Sequence, residues 1–272
     1  MIRDTPQDLH THLKVPFAGP GSPTAGSSVI EQQVIRPLCD GLQIQNFDND
    51  IRTGVIAGGH IIIGTLGCFV KLKNGKAAIL SNNHVVAGEN HGKKKQDRIL
   101  QSGSGTFQPG QHVATLANFI RIKPSPAGAS VIDGTAILNL IDAGVAALES
   151  TASFGQQYHP TRQLIKPTGI AAPKVGDQVF KVGRTTGLTH GEIKSVSTVV
   201  GPVPYQDGPI WFTQSLVIEG LNGTMFSDHG DSGSAIVRSS GEIVGLLYAG
   251  NGTQTYACPI DEVLKKLKCL LI

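Results

Sequence analysis

Ser232 stands in Gly230-Asp231-Ser232-Gly233, His84 closes Ser81-Asn82-Asn83-His84, and Asp142 opens Asp142-Ala143-Gly144-Val145. These side chains are a nucleophile, a base and an anion. A hydroxyl is a poor nucleophile near neutral pH, and it becomes useful when an imidazole accepts its proton and a buried carboxylate holds that imidazole in the right tautomer. Glycines on both sides of Asp231-Ser232 permit the tight backbone turn that a side chain would obstruct. Gly-Asp-Ser-Gly alone marks many turns, and a single histidine at a strand end is more often structural than catalytic. The three contexts together carry the reading. Asp133 competes for the part of the anion, but it precedes Gly134 and suits a turn, whereas the small residues after Asp142 let strands pack closely and bury its carboxylate. His229, adjacent to Gly230, is too close in sequence to reach the hydroxyl as a base and is expected to line a cleft. The rival serine motif Gly-x-Ser-x-Gly fails because Ser234 takes the place of its last glycine.

The elements that must position these residues are mostly strands. Gly 34 and Pro 15 mean frequent turns, and long stretches of helical periodicity are scarce. Phe69–Lys73 and Lys76–Leu80 flank Asn74-Gly75, the pair preferred in a two-residue type I′ hairpin turn, so the second strand should deliver His84 just beyond its end. Further strands are expected over 175–182, 192–200, 210–218, 234–237 and 243–247, with turns at Gly201-Pro202, Asp207-Gly208, Asn222-Gly223, Ser240-Gly241 and Asn251-Gly252. Residues 261–271 carry helical spacing.

The segments around His84, Asp142 and Ser232, in that chain order, resemble the trypsin/chymotrypsin-fold serine peptidases. Gly183-Arg184-Thr185-Thr186-Gly187-Leu188-Thr189-His190-Gly191 is similar to the stretch that opens the second barrel in their bacterial-type branch, so the likeness runs from about Gly54 to Leu264. It implies an all-β fold of two antiparallel six-stranded Greek-key β-barrels with a short C-terminal helix. It also implies a serine endopeptidase that works through an acyl-enzyme and needs no metal or organic cofactor. The backbone N–H groups of Gly230 and Ser232 would form the oxyanion hole, and Asp231 would be structural. Substrate contacts would fall to Phe226, His229, Tyr248, Ala249, Gly250 and Thr255. Phe226, six residues before the nucleophile, stands where an aspartate would favour cleavage after Arg or Lys, so a small or apolar residue is expected before the scissile bond. Tyr248-Ala249-Gly250 would pair with the substrate backbone as an added strand.

On this reading residues 1–52 are a partly flexible extension with room for a regulatory role, with a Gly/Pro/Ser-rich linker at 16–28 and a short helix over 29–38. Residues 53–150 form the first barrel, 151–172 a connector, and 173–272 the second barrel with the terminal helix. Two other readings share the same residues: a catalytically silent binding or scaffold module, and an esterase using the same triad.

Charge and cysteines bound the rest. Lys+Arg 23 against Asp+Glu 20 gives +3, with the basic residues scattered apart from Lys93-Lys94-Lys95, so nucleic acid is not indicated as a partner. The expected partner is a protein or peptide substrate, and a regulatory partner or an oligomer remains open. The apolar run 55–70 is broken by His60 and glycines and falls short of the ~18 to 20 residues of a membrane span. Cys39, Cys68, Cys258 and Cys269 contain no Cys-x-x-Cys pair. Secreted relatives bridge a cysteine in the strand before the histidine to one directly after it; Cys68 holds the first position, but Val85 follows His84. With no secretion signal legible in residues 1–10, the expected location is a reducing cytoplasm.

Overall fold

The structure, a computed structural model, describes residues 30–53, 62–102, 110–155 and 167–272. The expected linker at 16–28 and half of the expected connector, residues 156–166, lie outside these residues. The chain is mostly β, with two eight-stranded sheets in a chymotrypsin-like arrangement.

In chain order the strands are β1 (Gln43–Asn46), β2 (Ile63–Thr65), β3 (Cys68–Leu72), β4 (Ala77–Ser81), β5 (Arg98–Leu100), β6 (His112–Phe119), β7 (Leu138–Asn139) and β8 (Gly144–Leu148). They continue as β9 (Gly169–Ile170), β10 (Gln178–Gly183), β11 (Gly187–Tyr205), β12 (Gly208–Gly220), β13 (Ala235–Arg238), β14 (Glu242–Gly250), β15 (Gln254–Pro259) and β16 (Cys269–Leu271). Three short helices interrupt them: α1 (Phe47–Arg52), α2 (Asn83–Val86) and α3 (Ile260–Leu267).

The first sheet runs β16-β3-β4-β8-β6-β5-β1-β2, each pair antiparallel. The second runs β11-β10-β13-β14-β15-β12, and the β11–β12 pairing joins its ends into a closed circuit of six strands. Two short parallel strands, β7 on β12 and β9 on β14, are added outside that circuit. The six-strand count therefore holds for the closed part of the second sheet. The first sheet has no closing pair among the described residues, and it includes β1, which lies within the extension expected over residues 1–52. Residues 43–52 are part of the first unit, pinned by Asn46, whose Nδ2 donates to Val86 O at 2.7 Å. Within the helix expected over 29–38, the described residues hold a single 3₁₀ turn, Ile30–Gln32.

Successive side chains on a strand face opposite ways, so a strand buried on both faces reads as a continuous apolar run. β3 and β4 are such strands. Phe69 and Ile79 pack with Ile44, Val85 and Leu116 inside the first unit, while Val70, Ala78 and Leu80 join Val182, Phe212, Tyr248 and Cys258 of the second. One apolar core thus spans the seam between the sheets.

Three local expectations are corrected. The β3–β4 loop has three residues: Leu72 N–H donates to Lys76 O, only Gly75 has positive φ (+84°), and Asn74 Oδ1 accepts from Lys76 N–H at 3.1 Å. This is the type I turn with a left-handed glycine, not the I′ turn. The terminal helix ends at Leu267, because Lys268 takes a left-handed conformation and Cys269–Leu271 then pairs onto β3. Finally, the strand expected to stop at Val200 continues through Gly201-Pro202, which the ladder absorbs as an irregularity between Val200 and Val203. β11 and β12 consequently form one long hairpin with its turn at Gln206-Asp207.

Candidate active site

β4 ends at Ser81, whose Oγ donates to Thr65 O at 2.7 Å, and the chain then makes the single helical turn α2. The two asparagines before His84 anchor that turn. Asn82 Nδ2 donates to Asp142 O at 2.7 Å, and Asn83 Nδ2 donates to Ile120 O at 2.6 Å. His84 is thereby placed over the residues that lead into β8.

The Asp142 carboxylate is fully buried and receives three donors. Oδ2 lies 2.5 Å from His84 Nδ1 and accepts the Tyr205 hydroxyl at 2.7 Å, while Oδ1 accepts the backbone N–H of His84 at 3.2 Å. The backbone N–H of Asp142 points to Cys258 Sγ at 3.3 Å on the second sheet. Since the carboxylate is an acceptor toward Tyr205 and the His84 amide alike, Nδ1 is the protonated ring nitrogen and Nε2 is left with a free lone pair. Burial alone would lower the pKa of His84, but the charge and hydrogen bond of Asp142, with Glu89 behind them, hold it above its ordinary 6.5. Glu89 is itself buried beside the pair. Burial pushes its carboxyl up to about 7, although the Gln206 amide donates to it.

Ser232 lies at the seam. Its carbonyl accepts the Thr65 N–H at 2.8 Å, and its Oγ donates to Tyr248 O at 3.4 Å. A Cβ on Gly64 would come within 2.9 Å of Ser232 O and 2.3 Å of Val85 Cγ2, so the serine segment and the residue after His84 crowd the same point. Gly233 has φ +94°, and a Cβ there would lie 2.1 Å from Ser81 Oγ, three residues before the imidazole. Only glycine permits this contact. Among the described residues, the backbone N–H groups of Gly230 and Ser232 have no acceptor.

Residues 67–262 match the family model described as Trypsin. The chain belongs to the trypsin family. The fold is similar to that of Nocardiopsis protease, NAPase (TM-score 0.56, 14% identity, covering 86% of this chain and 98% of that one). It is also similar to a glutamic acid specific serine protease described as using a histidine triad in substrate binding (TM-score 0.54, 20% identity, 86% and 100%). Among curated proteins, NARROW LEAF 1 of Oryza sativa subsp. japonica is 26% identical over 243 residues, 82% of this chain and 40% of that protein. The chain therefore spans well under half of that relative's length.

In this trypsin-family chain the serine turn is fastened by its own aspartate. Asp231 Oδ1 accepts the backbone N–H groups of Thr185 and Thr186 at 2.8 and 3.2 Å, and Oδ2 accepts Thr186 Oγ1 at 2.6 Å. Lys181 Nζ sits 3.1 Å from the same Oδ2, with neither side chain exposed to solvent. The sequence signal for Lys181 is a charged residue between Phe180 and Val182, on the same strand face as Val179. Removing one member of a buried pair leaves the other charge uncompensated, at a cost of about 3–5 kcal/mol. Lys181→Met is expected to lose that much unfolding free energy, read from the urea midpoint. A loss below about 1 kcal/mol would show that the pair does not hold the turn.

The expected substrate contacts divide. Phe226 is not at a pocket surface: the residue is 1% exposed and packs in a separate cluster of the second sheet with Ile193, Leu216 and Ile218, while its carbonyl accepts Thr189 Oγ1. The next residue, Ser227, instead meets Thr255, hydroxyl to hydroxyl at 2.6 Å. The Tyr248 phenol is also interior, bonded to Ser215 Oγ at 2.8 Å, so only its backbone faces Ser232. Ala249 and Gly250 end β14, paired with Tyr256 and Thr255 of β15. His229 is exposed, and its carbonyl accepts Thr185 Oγ1 at 2.5 Å. Asp133 lies in an exposed turn closed by Thr135, as a turn residue should. Glu89 and Tyr205 were also missed, because each acts through contacts between sheets.

Proposed function

We propose that this chain is a serine endopeptidase in which Ser232 attacks the scissile carbonyl, His84 is general base and then general acid, and Asp142 orients His84 and stabilises the imidazolium. The observation that carries this reading is the 2.5 Å contact between His84 Nδ1 and a fully buried, three-donor carboxylate, at the seam where the Gly230–Gly233 turn meets the first sheet. Ser232 Oγ rests on Tyr248 O and makes no hydrogen bond to His84 among the described residues, so the reading requires a rotation about its Cα–Cβ bond toward Nε2 when substrate enters; such bonds commonly tighten only in the complex. The proton passes from Oγ to Nε2 as the C–O bond forms, and then to the leaving amine as the C–N bond breaks. Water resolves the acyl-enzyme by the same path in reverse. The free N–H groups of Gly230 and Ser232 are the donors for the developing oxyanion, each worth about 2.7–4 kcal/mol in the transition state.

The expected preference for a small or apolar residue before the scissile bond is part of this proposal; beside the serine turn, the Ser227 and Thr255 hydroxyls bond to each other at 2.6 Å. All four cysteines are free and buried, consistent with a role in a reducing cytoplasm, where the substrate is a protein or peptide and proteolysis is limited. No described helix is long and apolar enough to cross a membrane.

A fluorophosphonate probe tests the assignment directly. Labelling of Ser232 in the folded protein, abolished in Ser232→Ala, is expected; an unlabelled but folded wild-type protein would favour the silent scaffold. Peptide and ester substrates compared side by side separate the peptidase from the esterase.

The pH profile supplies a second check. His84 must be neutral to accept the proton, and its pKa is raised, so kcat/KM should climb with pH through an apparent pKa above 6.5. Glu89 titrates in the same range, which makes the observed value a property of the pair. Glu89→Gln removes a negative charge near the imidazole and should move the acid limb to lower pH. An acid limb already below 6.5 in the wild type would contradict the geometry.

A further inference from the structure

We infer that Tyr205 is a positioning residue for the His84–Asp142 pair, supplied by the second sheet; this rests on the triad reading above. The Tyr205 hydroxyl donates to Asp142 Oδ2, the same oxygen that faces His84 Nδ1. One carboxylate oxygen is therefore held between an imidazole of the first unit and a phenol of the second. Two donors on Oδ2 and one on Oδ1 leave the carboxylate no freedom to rotate. The phenol ring also stands edge-on to the imidazole, with centroids 5.9 Å apart and planes at 89°, which restrains the imidazole in turn.

Tyr205 reaches this place because β11 runs past Gly201-Pro202 to the hairpin tip, and the tip is tied to the first unit around it. The Gln206 N–H donates to the Glu89 carboxylate, His91 Nε2 lies 3.2 Å from Asp207 Oδ1, and Ser125 N–H donates to Pro209 O at 2.8 Å. β7 pairs with β12 just beyond, at Trp211 and Phe212. Burial, then the charge of Asp142 and the bond to it, holds the phenol far above its ordinary pKa, so the hydroxyl remains a donor at every pH where the enzyme works. Around the pair the other titratable groups are Glu89, Tyr248 and Cys258, and none of them donates to Oδ2. The hydroxyl of Tyr205 draws off part of the Asp142 charge. Without it that charge faces the imidazole alone, and its orientation is set from one side only.

Tyr205→Phe keeps the ring and its packing on Phe212 and removes only the hydroxyl. We expect kcat for a peptide substrate to fall about ten- to a hundredfold, the range of a hydrogen bond to a charged group, with KM changed by less than about twofold. The acid limb of kcat/KM should move to higher pH, and so should the titration of the His84 ring followed by NMR in histidine-labelled protein. A fall in kcat that accompanies lower thermal stability, with the imidazole titration unmoved, would assign Tyr205 to packing alone and overturn the inference. Unchanged kcat and unchanged titration would do the same. The wild-type protein offers a measurement that needs no variant: a slowly exchanging Tyr205 hydroxyl proton with a cross-peak to the His84 ring is expected, and its absence counts against the contact. NMR reads the contact whether or not the enzyme turns over, whereas fluorophosphonate labelling reads Ser232. An imidazole shift in an unlabelled protein would therefore sink the peptidase reading and leave the Tyr205 contact standing.

Discussion

Alanine in place of Ser232 is expected to lower kcat for a peptide substrate by about 10⁶-fold, because nucleophile and base act as a unit and losing either removes the covalent route. The fold should survive. Ser232 Oγ makes one hydrogen bond, at 3.4 Å to Tyr248 O, and the segment is held by other groups: Thr65 N–H on the Ser232 carbonyl, and the Asp231 carboxylate on Thr185, Thr186 and Lys181. A residual rate above that of uncatalysed hydrolysis is expected from binding and the oxyanion donors, which the substitution leaves in place. The measurement is single-turnover and steady-state cleavage of a peptide, with the melting temperature as the folding control. Comparing the new peptide ends produced in a proteome by wild type and by Ser232→Ala would also read the preference before the scissile bond, expected to be small or apolar. A variant that turns over within tenfold of wild type would end the assignment of Ser232.

Asp142→Asn is expected to lower kcat by about 10⁴-fold, the magnitude known for the same change in the trypsin-type triad. The structure gives the reason in this chain. The two oxygens of Asp142 accept from three donors, and an asparagine has one oxygen and one amide nitrogen to offer. If the nitrogen takes the place of Oδ2 it confronts both the His84 ring and the Tyr205 hydroxyl; if it takes the place of Oδ1 it confronts the His84 amide. The imidazole escapes by moving its proton to Nε2, which is the tautomer that cannot accept from Ser232. A buried donor left unmatched costs a further 1–3 kcal/mol of stability, visible in the denaturant midpoint. Near-normal kcat in a folded Asp142→Asn protein would show that His84 does not depend on this carboxylate.

How much of this was legible in one dimension depended on the range of the signal. The β3–β4 hairpin announced itself through Asn74-Gly75 between two apolar runs, although the turn type was misjudged because Asn74 keeps a negative φ. The end of α3 was overshot, since Cys269-Leu270-Leu271 continues the apolar pattern and only its pairing with β3 makes it a strand. Gly201-Pro202 looked like a turn, and locally it is a break; the β12 ladder tolerates it by shifting register. That single misjudgement hid Tyr205. Phe226 was placed by correspondence of position, which does not say which way a side chain points, and the closed six-stranded circuit takes it inside.

By itself the sequence determined the mostly β character of the fold and singled out the candidate residues in their order along the chain, because glycine-bracketed serine, strand-end histidine and small residues after an aspartate are all properties of neighbours. Tertiary structure alone decided what surrounds the carboxylate: His84 at 58 residues' distance, Tyr205 at 63 and Cys258 at 116. It likewise decided that Lys181 should neutralise Asp231, 50 positions further on. Such partners meet because two sheets share one apolar core, and burial there makes every polar group find a donor or acceptor wherever the fold brings one near.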